Sequence, residues 1–418
     1  HTRYPLVTGV QTCALPIYAT PHHAGLLDNV TDFDPAYFLI PEEDARAMDP
    51  QALLLLEEGL NALHHAGYTA QDVKGSATGV YIGARSQHRP QDAALAQARN
   101  PIVTVGQNYL AANLSQFLDL RGPSLVLDTA CSSALVGMQM AVQALRAGDI
   151  GAALVGGISV LQDDAAHRLF EQRHLLAPGG QFHVMDGRAG GVVLGEGVGV
   201  VVLKTLDRAL ADGDRVYAVL KALAVNNDGR TAGPATPNLA AQKAVMQQAL
   251  AASGHRAEEI EYIHVNGSGS EVTDLLELKA MEAVYRPQGS GPRAPCELGS
   301  MEPNIGHPLC AKGIAAFCHV VLMLWHGRRV PFLSGQQPMP HFDLAASPFH
   351  FGRTSPMWPS ATPLAAVNCF ADGGTNVHLI LQAWQEPASR TVRRQPLPPP
   401  ALTRHRVLGA AREAEIGR

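Results

Sequence analysis

The sequence predicts a layered α/β domain made of two related halves, and three observations support this fold class. Short, almost wholly apolar runs that suit strands covered on both faces alternate with helical segments. The alternation begins again after the turn-rich stretch NNDGRTAGPATP at residues 226–237. The 418 residues carry a net charge of -5 and 46% hydrophobic side chains, as ordinary globular proteins do. Two successive halves of this kind fit one duplicated domain better than two independent domains.

The individual elements follow from the same pattern. Residues 33–67 are expected to form a loop and then a helix that ends at Gly67. Further strands are predicted at 79–84, 124–128, 152–160, 198–204, 216–225, 260–265, 296–299, 364–370 and 375–382. Further helices are predicted at 133–147, 239–252, 275–285 and 312–325. We therefore assign residues 19–225 to the N-terminal half and residues 226–385 to the C-terminal half.

The two ends of the chain differ from the rest. Residues 7–17 (VTGVQTCALPI) look like the translation of a sequencing-adapter oligonucleotide, so residues 1–18 are expected to lie outside the native domain. The alternative is a native, mildly apolar arm; the stretch lacks the basic region and cleavage site of a signal peptide. Residues 386–418 are rich in proline and arginine, which is a linker composition.

Composition argues against several classes of function. The weak acidity gives no basic surface, so no nucleic-acid partner is expected. The six cysteines form no CxxC pair and the histidines form no metal-ligand motif, which favours a reducing, cytoplasmic location and no metal site. The longest apolar run, 313–325, contains His319 and is too short to cross a bilayer. We expect a buried helix there and no membrane partner.

Cys131 is the candidate nucleophile. It lies in LVLDTACSSAL, where an apolar strand is followed by small residues and then by a helix. The N-terminus of a helix favours a thiolate, and its free N–H groups can stabilise an oxyanion. A lone cysteine is more often buried and inert. The strand–turn–helix context is what favours the catalytic interpretation.

The segment DTACSSAL resembles the active-site signature of the β-ketoacyl synthases, in particular the ketosynthase domains of modular polyketide synthases. The similarity continues through ALVGG, GEGVG, KTLDRALADGDR, AVNNDG and GGTNVH, and it covers residues 25–385. The resemblance implies a thiolase-like fold, a homodimer, neighbouring synthase domains and an acyl carrier protein as partner. The carrier supplies the 4'-phosphopantetheine arm, and the domain itself binds no cofactor. It also implies that a first strand and roughly 60 further residues precede this stretch in a typical domain of the class.

The resemblance further implies a catalytic set of one cysteine and two histidines, and here the chain departs from the family. The family's HGTGT motif is NGSGS, so Asn266 replaces the first histidine, while Ser268 and Ser270 keep the hydroxyls expected to hold the phosphopantetheine arm. An asparagine amide donates hydrogen bonds but takes up no proton near neutral pH. The second histidine is retained as His307 in NIGH.

Two more family positions are altered. The lysine of the family's GSxKxNIGH motif is Glu302, which is expected to reverse the local field and to disfavour carbanion chemistry. The second aromatic residue of the family's SSFGFGGTN motif, which gates the acyl pocket, is Asp372. Its backbone N–H is still expected to form the oxyanion hole with that of Cys131. Its side chain is expected at the surface, the alternative being a contact with a polar group of the substrate.

These residues leave three functions open. The first is acyl transfer through Cys131 without elongation, as in the non-elongating ketosynthases of trans-acyltransferase assembly lines, which this sequence resembles. The second is a non-catalytic scaffold similar to a chain-length factor. The third is a condensing enzyme in which Asn266 and His307 together polarise the malonyl carbonyl. The intact nucleophile motif argues against the scaffold, because a scaffold does not need a thiol in this position.

Overall fold

The computed structural model of the protein describes residues 15–16, 23–233, 235–286 and 294–408. The strands are β1 (Leu15–Pro16), β2 (His23–Gly25), β3 (Asp32–Phe33), β4 (Thr78–Gly83), β5 (Ser124–Leu127), β6 (Ala152–Ser159), β7 (Leu194–Gly195), β8 (Gly197–Leu203), β9 (Ala218–Asn227), β10 (Ile260–His264), β11 (Cys296–Gly299), β12 (Phe349–Phe351), β13 (Leu364–Phe370), β14 (Thr375–Ala383) and β15 (His405–Arg406).

The helices are α1 (Glu42–Ala45), α2 (Pro50–His65), α3 (Ala70–Val73), α4 (Asp92–Gln97), α5 (Pro101–Val105), α6 (Tyr109–Leu118), α7 (Ser133–Ala147), α8 (Ala165–Gln172), α9 (Leu206–Asp212), α10 (Leu239–Ser253), α11 (Glu271–Tyr285), α12 (Glu302–Ile305) and α13 (Lys312–His326). Short 3-10 turns lie at Pro178–Gly180, Ala257–Glu259 and Leu309–Ala311.

Two mixed sheets form the framework, and their strand orders match. The first sheet has the order β5-β4-β6-β8, in which β8 alone is antiparallel to its neighbour. The second has the order β12-β11-β10-β13-β14-β9. Four strands of the second sheet, β11-β10-β13-β14, repeat the order of the first, and in both sheets the fourth of them (β8 or β14) runs antiparallel beside the third (β6 or β13). This repetition is the duplication that the sequence predicted, in a thiolase-like fold.

Strand β9 corrects the boundary between the halves. It pairs along its length with β14, from Thr375 opposite Asn227 to Ala383 opposite Ala218, and so belongs to the second sheet. The predicted boundary at residue 225 would cut this strand. The C-terminal half therefore begins before Ala218.

The outer edge of β8 corresponds to the edge of β14 that pairs with β9 in the second sheet. Among the described residues no strand pairs with this edge. A groove of about 420 Å³ runs along it, lined by β8, β9 and the helices α2, α7 and α13. Within the described residues the second sheet therefore has two more strands than the first, β9 beside β14 and β12 beside β11.

The core has three parts because the helices form three layers. Helices α2 and α6 cover the outer face of the first sheet, α10 and α11 cover that of the second, and α7 and α13 fill the space between the sheets. The stretch Leu309–His326, which contains α13, is 18 residues long with a mean hydropathy of 1.5, and 61% of it is buried. That burial is typical of a core helix and agrees with the expectation for 313–325.

The proline- and arginine-rich segment lies against the domain rather than leaving it. In residues 386–408, which we call the strap, β15 pairs with β3 across the N-terminal half. Arg404 donates two hydrogen bonds to the carboxylate of the buried Glu57, at 2.9 and 3.2 Å. The Leu397 N–H donates to the carbonyl of His64 at 2.8 Å. The linker composition therefore did not predict how this described part of the tail packs.

The expectation for residues 1–18 falls largely outside the described residues. Within that stretch the structure describes only β1, whose backbone pairs with β2. Most of the other predicted elements agree with the structure to within two residues at each end. The N-terminus of α11 is the main exception, since the helix begins at Glu271 rather than at residue 275.

Candidate active site

Cys131 lies at the turn between β5 and α7. Ala130, just before it, has φ of +53°, in the left-handed region that non-glycine residues rarely adopt. Ser133 in the first turn of α7 holds this turn in place. Its hydroxyl accepts the Thr129 N–H at 2.9 Å and donates to the carbonyl of Ala130 at 2.5 Å. The predicted strand–turn–helix presentation of the thiol is confirmed.

The thiol is in a polar environment although Cys131 is only 7% exposed. Its sulfur lies 3.6 Å from the carbonyl oxygen of Phe370. A hydrogen bond with the side chain of Cys369 is the main effect that lowers the pKa of Cys131 well below its ordinary value. His307, through a second hydrogen bond, and Lys312, through its charge, lower that pKa further, whereas burial opposes them. Cys131 is therefore equipped to be a thiolate.

Asn266 lies in the loop between β10 and α11 and is held at both its backbone and its side chain. Its N–H donates to the buried carboxylate of Glu277 at 2.6 Å. Its amide oxygen Oδ1 accepts from the Phe370 N–H at 2.9 Å and from Lys312 Nζ at 3.0 Å. Two donors on Oδ1 fix the orientation of the amide. Only the Nδ2 group is left to meet a bound ligand, and it can act only as a donor.

A chain of buried hydrogen bonds extends behind Glu277. The Asn368 amide donates to Glu277 at 2.7 Å and pairs through its oxygen with His378 Nδ1 at 2.6 Å. His378 Nε2 in turn meets the hydroxyl of Tyr285 at 2.5 Å. Burial lowers the pKa of His378 to about 3, so this histidine is neutral. The loop that carries Asn266 is thus anchored through the second sheet to α11.

His307 lies beside Cys131, as the motif predicts. Its backbone pairs on both sides: its N–H donates to the Val193 carbonyl at 2.7 Å, and its carbonyl accepts from the Gly195 N–H at 2.9 Å. Nδ1 accepts a hydrogen bond from the Leu309 N–H at 3.2 Å. A neutral imidazole that accepts at Nδ1 carries its proton on Nε2. His307 can therefore donate a hydrogen bond from Nε2 to an acyl oxygen.

Glu302 does not reverse the field at the site, because a lysine accompanies it. Lys312 Nζ lies 3.8 Å from Glu302 Oε1, and both side chains are almost wholly buried. Burial alone would lower the pKa of Lys312, but Glu302 and Cys131 outweigh it and raise that pKa. Burial raises the pKa of Glu302 to about 8, which Lys312 partly offsets. The lysine holds its charge at neutral pH, so the expectation of a local field made negative by Glu302 is wrong.

The side chain of Asp372 is at the surface, as expected. It forms an ion pair with Arg173 at 2.7 Å, and about half of the Asp372 side chain is exposed. An exposed pair of this kind contributes little to stability. The role of the Asp372 N–H in an oxyanion hole with Cys131 stays a prediction.

Ser268 and Ser270 use their hydroxyl groups within the loop. Ser268 donates from its N–H and its hydroxyl to Asp274, at 2.8 and 3.0 Å, and accepts from the Ser270 N–H at 3.3 Å. The hydroxyl of Ser270 caps the N-terminus of α11. Asp274 and Glu277 on α11 therefore hold this loop through its N–H groups. The expected contact of Ser268 and Ser270 with a phosphopantetheine arm stays a prediction.

Sequence reasoning missed two residues of this site. Cys369 is one of the scattered cysteines, and only its contact with Cys131 in the fold gives it a role. Lys312 was taken as the first residue of an apolar helix. The signal that could have identified it is a single charge at the start of a run that is otherwise apolar and expected to be buried.

Comparisons with known proteins agree with this geometry. The N-terminal domain of the β-ketoacyl synthase family matches residues 13–209, and its C-terminal domain matches residues 217–336. The polyketide synthase PksL of Bacillus subtilis is 59% identical over 390 residues, which are 93% of this chain and 8% of that protein. The erythronolide synthase EryA2 of Saccharopolyspora erythraea is 38% identical over 90% of this chain and 11% of its own length.

Solved structures are similar in fold as well. The oxazolomycin ketosynthase domain OzmH KS8 of Streptomyces albus is 52% identical, with a TM-score of 0.77, and the match covers 91% of this chain and 90% of that one. The ketosynthase from module 6 of the bacillaene synthase of Bacillus subtilis is 34% identical, with a TM-score of 0.81 over 87% of this chain and 64% of that one. The chain spans about a tenth of the lengths of PksL and EryA2.

Proposed function

As a member of the β-ketoacyl synthase family, and a ketosynthase domain of the modular polyketide synthase type, this chain has acyl-cysteine chemistry, and we propose that it passes an acyl group on without lengthening it. The acyl group comes from the phosphopantetheine arm of an acyl carrier protein, is held on Cys131, and is released to the next carrier. No cofactor of the domain's own takes part.

The observation that carries this proposal is the state of Asn266. Decarboxylation of a malonyl thioester develops negative charge, and the family uses two histidines there. The Asn266 amide oxygen is committed to two donors, and its Nδ2 group can donate a hydrogen bond but cannot accept a proton. The position therefore keeps a hydrogen-bond donor for a carbonyl oxygen and lacks an acid–base group.

Thioester exchange needs fewer catalytic groups than condensation does. The Cys131 thiolate attacks the thioester carbon, the bond from that carbon to the pantetheine sulfur breaks, and the pantetheine leaves as a thiol with the proton that Cys131 gave up. Negative charge develops on the carbonyl oxygen in the tetrahedral intermediate and is lost when the pantetheine thiol leaves. Donors such as His307 Nε2 and Asn266 Nδ2 can stabilise that charge, a type of contact worth about 3–4 kcal/mol in other enzymes.

The partners follow from the same proposal. We infer a homodimer, since β5 is the outermost strand of its sheet and Leu125 on it is 37% exposed, which leaves that edge open to a second copy. Neighbouring synthase domains and a cytoplasmic location are part of the proposal, as they are for this class of multidomain protein.

The test is to incubate the protein with an acyl carrier protein that bears a synthetic acyl thioester and to follow the mass of the intact chain. We expect a mass increase equal to one acyl group on the wild type and none on the matched control Cys131→Ala. Malonyl carrier protein is then added, and we expect no product that is two carbons longer. Transfer to an unloaded second carrier completes the assay.

Two other results would each support a different function. If Cys131 takes no acyl group, the domain is a scaffold similar to a chain-length factor. If a β-ketoacyl product two carbons longer forms, the domain is a condensing enzyme and the exchange proposal fails. The acyl thioester on Cys131 is common to exchange and condensation, so the malonyl step is what separates them.

A further inference from the structure

We propose that Lys312 is the positioning residue of this site: its buried ammonium group orients the amide of Asn266 and supplies the positive charge beside Cys131. This assignment rests on the proposed acyl transfer at Cys131. It gives a function to a side chain that no motif of the sequence marks. It also explains how a site that has glutamate in place of the family's lysine keeps a cation next to its nucleophile.

The geometry around the ammonium group leaves Lys312 little freedom. Nζ donates to the backbone carbonyl of Asn266 at 2.6 Å and to Oδ1 of the same residue at 3.0 Å. Glu302 lies on another side at 3.8 Å. An ammonium group has three donors, and two of them hold one asparagine. Without this contact Oδ1 would keep only the Phe370 N–H, and the amide could turn.

A glycine next to Lys312 allows the fold to place this lysine close to the nucleophile. Gly313 follows it at the start of α13, and a Cβ on Gly313 would lie 2.7 Å from the Leu135 side chain and 3.6 Å from the carbonyl oxygen of Cys131. The glycine therefore lets α13 pack directly on α7. The N-terminal turn of α13, with its lysine, comes to the back of the Cys131 loop.

The charge also fits the chemistry of the nucleophile. A buried ammonium group has lost its water and is stable only beside compensating groups. Here these are the two Asn266 oxygens and the Cys131 thiolate, joined by the Glu302 carboxylate above the pKa of about 8 of that group, so the lysine favours the ionised thiol. The titratable groups that face Cys131 are Cys369 from β13, His307, Lys312 from α13, Glu302 from α12 and Cys310 from the 3-10 turn.

The experiment measures how fast iodoacetamide alkylates Cys131 as a function of pH, with peptide mass spectrometry to read that residue alone. It compares the wild type with Lys312→Met. We expect the inflection of the rate to move up by at least one pH unit, so that the rate at pH values below the wild-type inflection falls about tenfold. Acylation from the carrier should fall at least in proportion. The control is Lys279→Met, an exposed lysine on α11, which should leave the profile unchanged.

Two further variants keep the test decisive if Lys312→Met does not fold. The neutral pair Lys312→Met with Glu302→Gln leaves no buried charge uncompensated, and it should show the same raised inflection. The exchanged pair Lys312→Glu with Glu302→Lys returns a cation to the family's position and should bring the inflection back toward that of the wild type. A folded neutral pair with the wild-type profile would overturn the proposal. If alkylation of the wild type has a low inflection but the wild type accepts no acyl group from the carrier, the proposed function is overturned and the role of Lys312 stands.

Discussion

Restoring the family's histidine by Asn266→His should not restore chain elongation, because the Lys312 ammonium group contacts the side chain at position 266 directly. Lys312 Nζ lies 3.0 Å from Oδ1 of Asn266. Two positive charges about 4 Å apart repel by about 4 kcal/mol at an effective dielectric constant of about 20, which corresponds to about three pKa units. An imidazole with an ordinary pKa of about 6.5 would then titrate at about 3.5. The new ring would be neutral and would accept a hydrogen bond from the ammonium group.

The assay is the carrier-protein reaction described above, read by product mass. We expect Asn266→His to form the acyl thioester on Cys131 and to make no detectable β-ketoacyl product. The double variant Asn266→His with Lys312→Met removes the repulsion, and any elongation should appear there first. Efficient elongation by Asn266→His alone would refute the reasoning, since it would mean that the Lys312 charge does not govern this position.

Three further predictions concern the surroundings of the site. Cys369→Ala removes the main hydrogen bond that lowers the pKa of Cys131, so alkylation of Cys131 at pH values below the wild-type inflection should slow several-fold while the melting temperature changes little; an unchanged rate there would contradict this. Glu302 has a folded-state pKa of about 8, raised from 4.5 by burial, so its contribution to stability is fully present below about pH 4.5 and is lost as the pH rises through 8. Denaturant unfolding at pH 5 and pH 8 should therefore show a smaller loss of stability for Glu302→Gln than for the wild type; equal losses would argue against a buried, titrating carboxyl. Arg404→Ala leaves the buried Glu57 without its cation and should lower the free energy of unfolding by about 1–3 kcal/mol without altering acylation of Cys131; loss of acylation in a folded variant would show that the strap also serves the site.

The sequence predicted most of the framework because its elements are apolar runs bounded by turn residues. The bounds of α7, β11 and β13 agree with the predicted ones. The two strands are buried on both faces and α7 packs between the sheets, so hydrophobic pattern and tertiary structure favour the same assignment. Strand β9 was predicted as an element but was assigned to the wrong half, since a strand's pattern does not say which sheet it joins.

The parts that were not predicted depend on contacts distant in sequence. The strap has a composition that suits a disordered linker, yet Arg404 meets a carboxylate 347 residues away. The short helices α4 and α5 bury few side chains and have no clear periodicity. The strap is thus fixed by a group remote in the sequence, about which a local pattern carries no information, and α4 and α5 offer too little apolar pattern to be read locally.

The candidate site divides in the same way. Cys131, Asn266 and His307 lie in motifs, and the structure brings all three together. Lys312 and Cys369 lie at positions to which the motifs give no role, and they matter only because α13 and β13 meet behind Cys131. The interpretation of Glu302 was wrong for the same reason, because its charge was considered without the partner that only the folded chain supplies.

The hydrogen bonds that fix the backbone of Asn266 have a consequence for how this class of domain changes its activity. Glu277 contacts the N–H groups of Asn266 and Gly267, and neither contact involves the side chain at position 266. The chain behind Glu277, through Asn368 and His378 to Tyr285, is also indifferent to that side chain. Whatever residue stands there is presented at the same point. A change at position 266 can therefore alter the group offered at the site while the backbone that presents it stays in place, and the chemistry of the site follows only when Lys312, which contacts that side chain, changes as well.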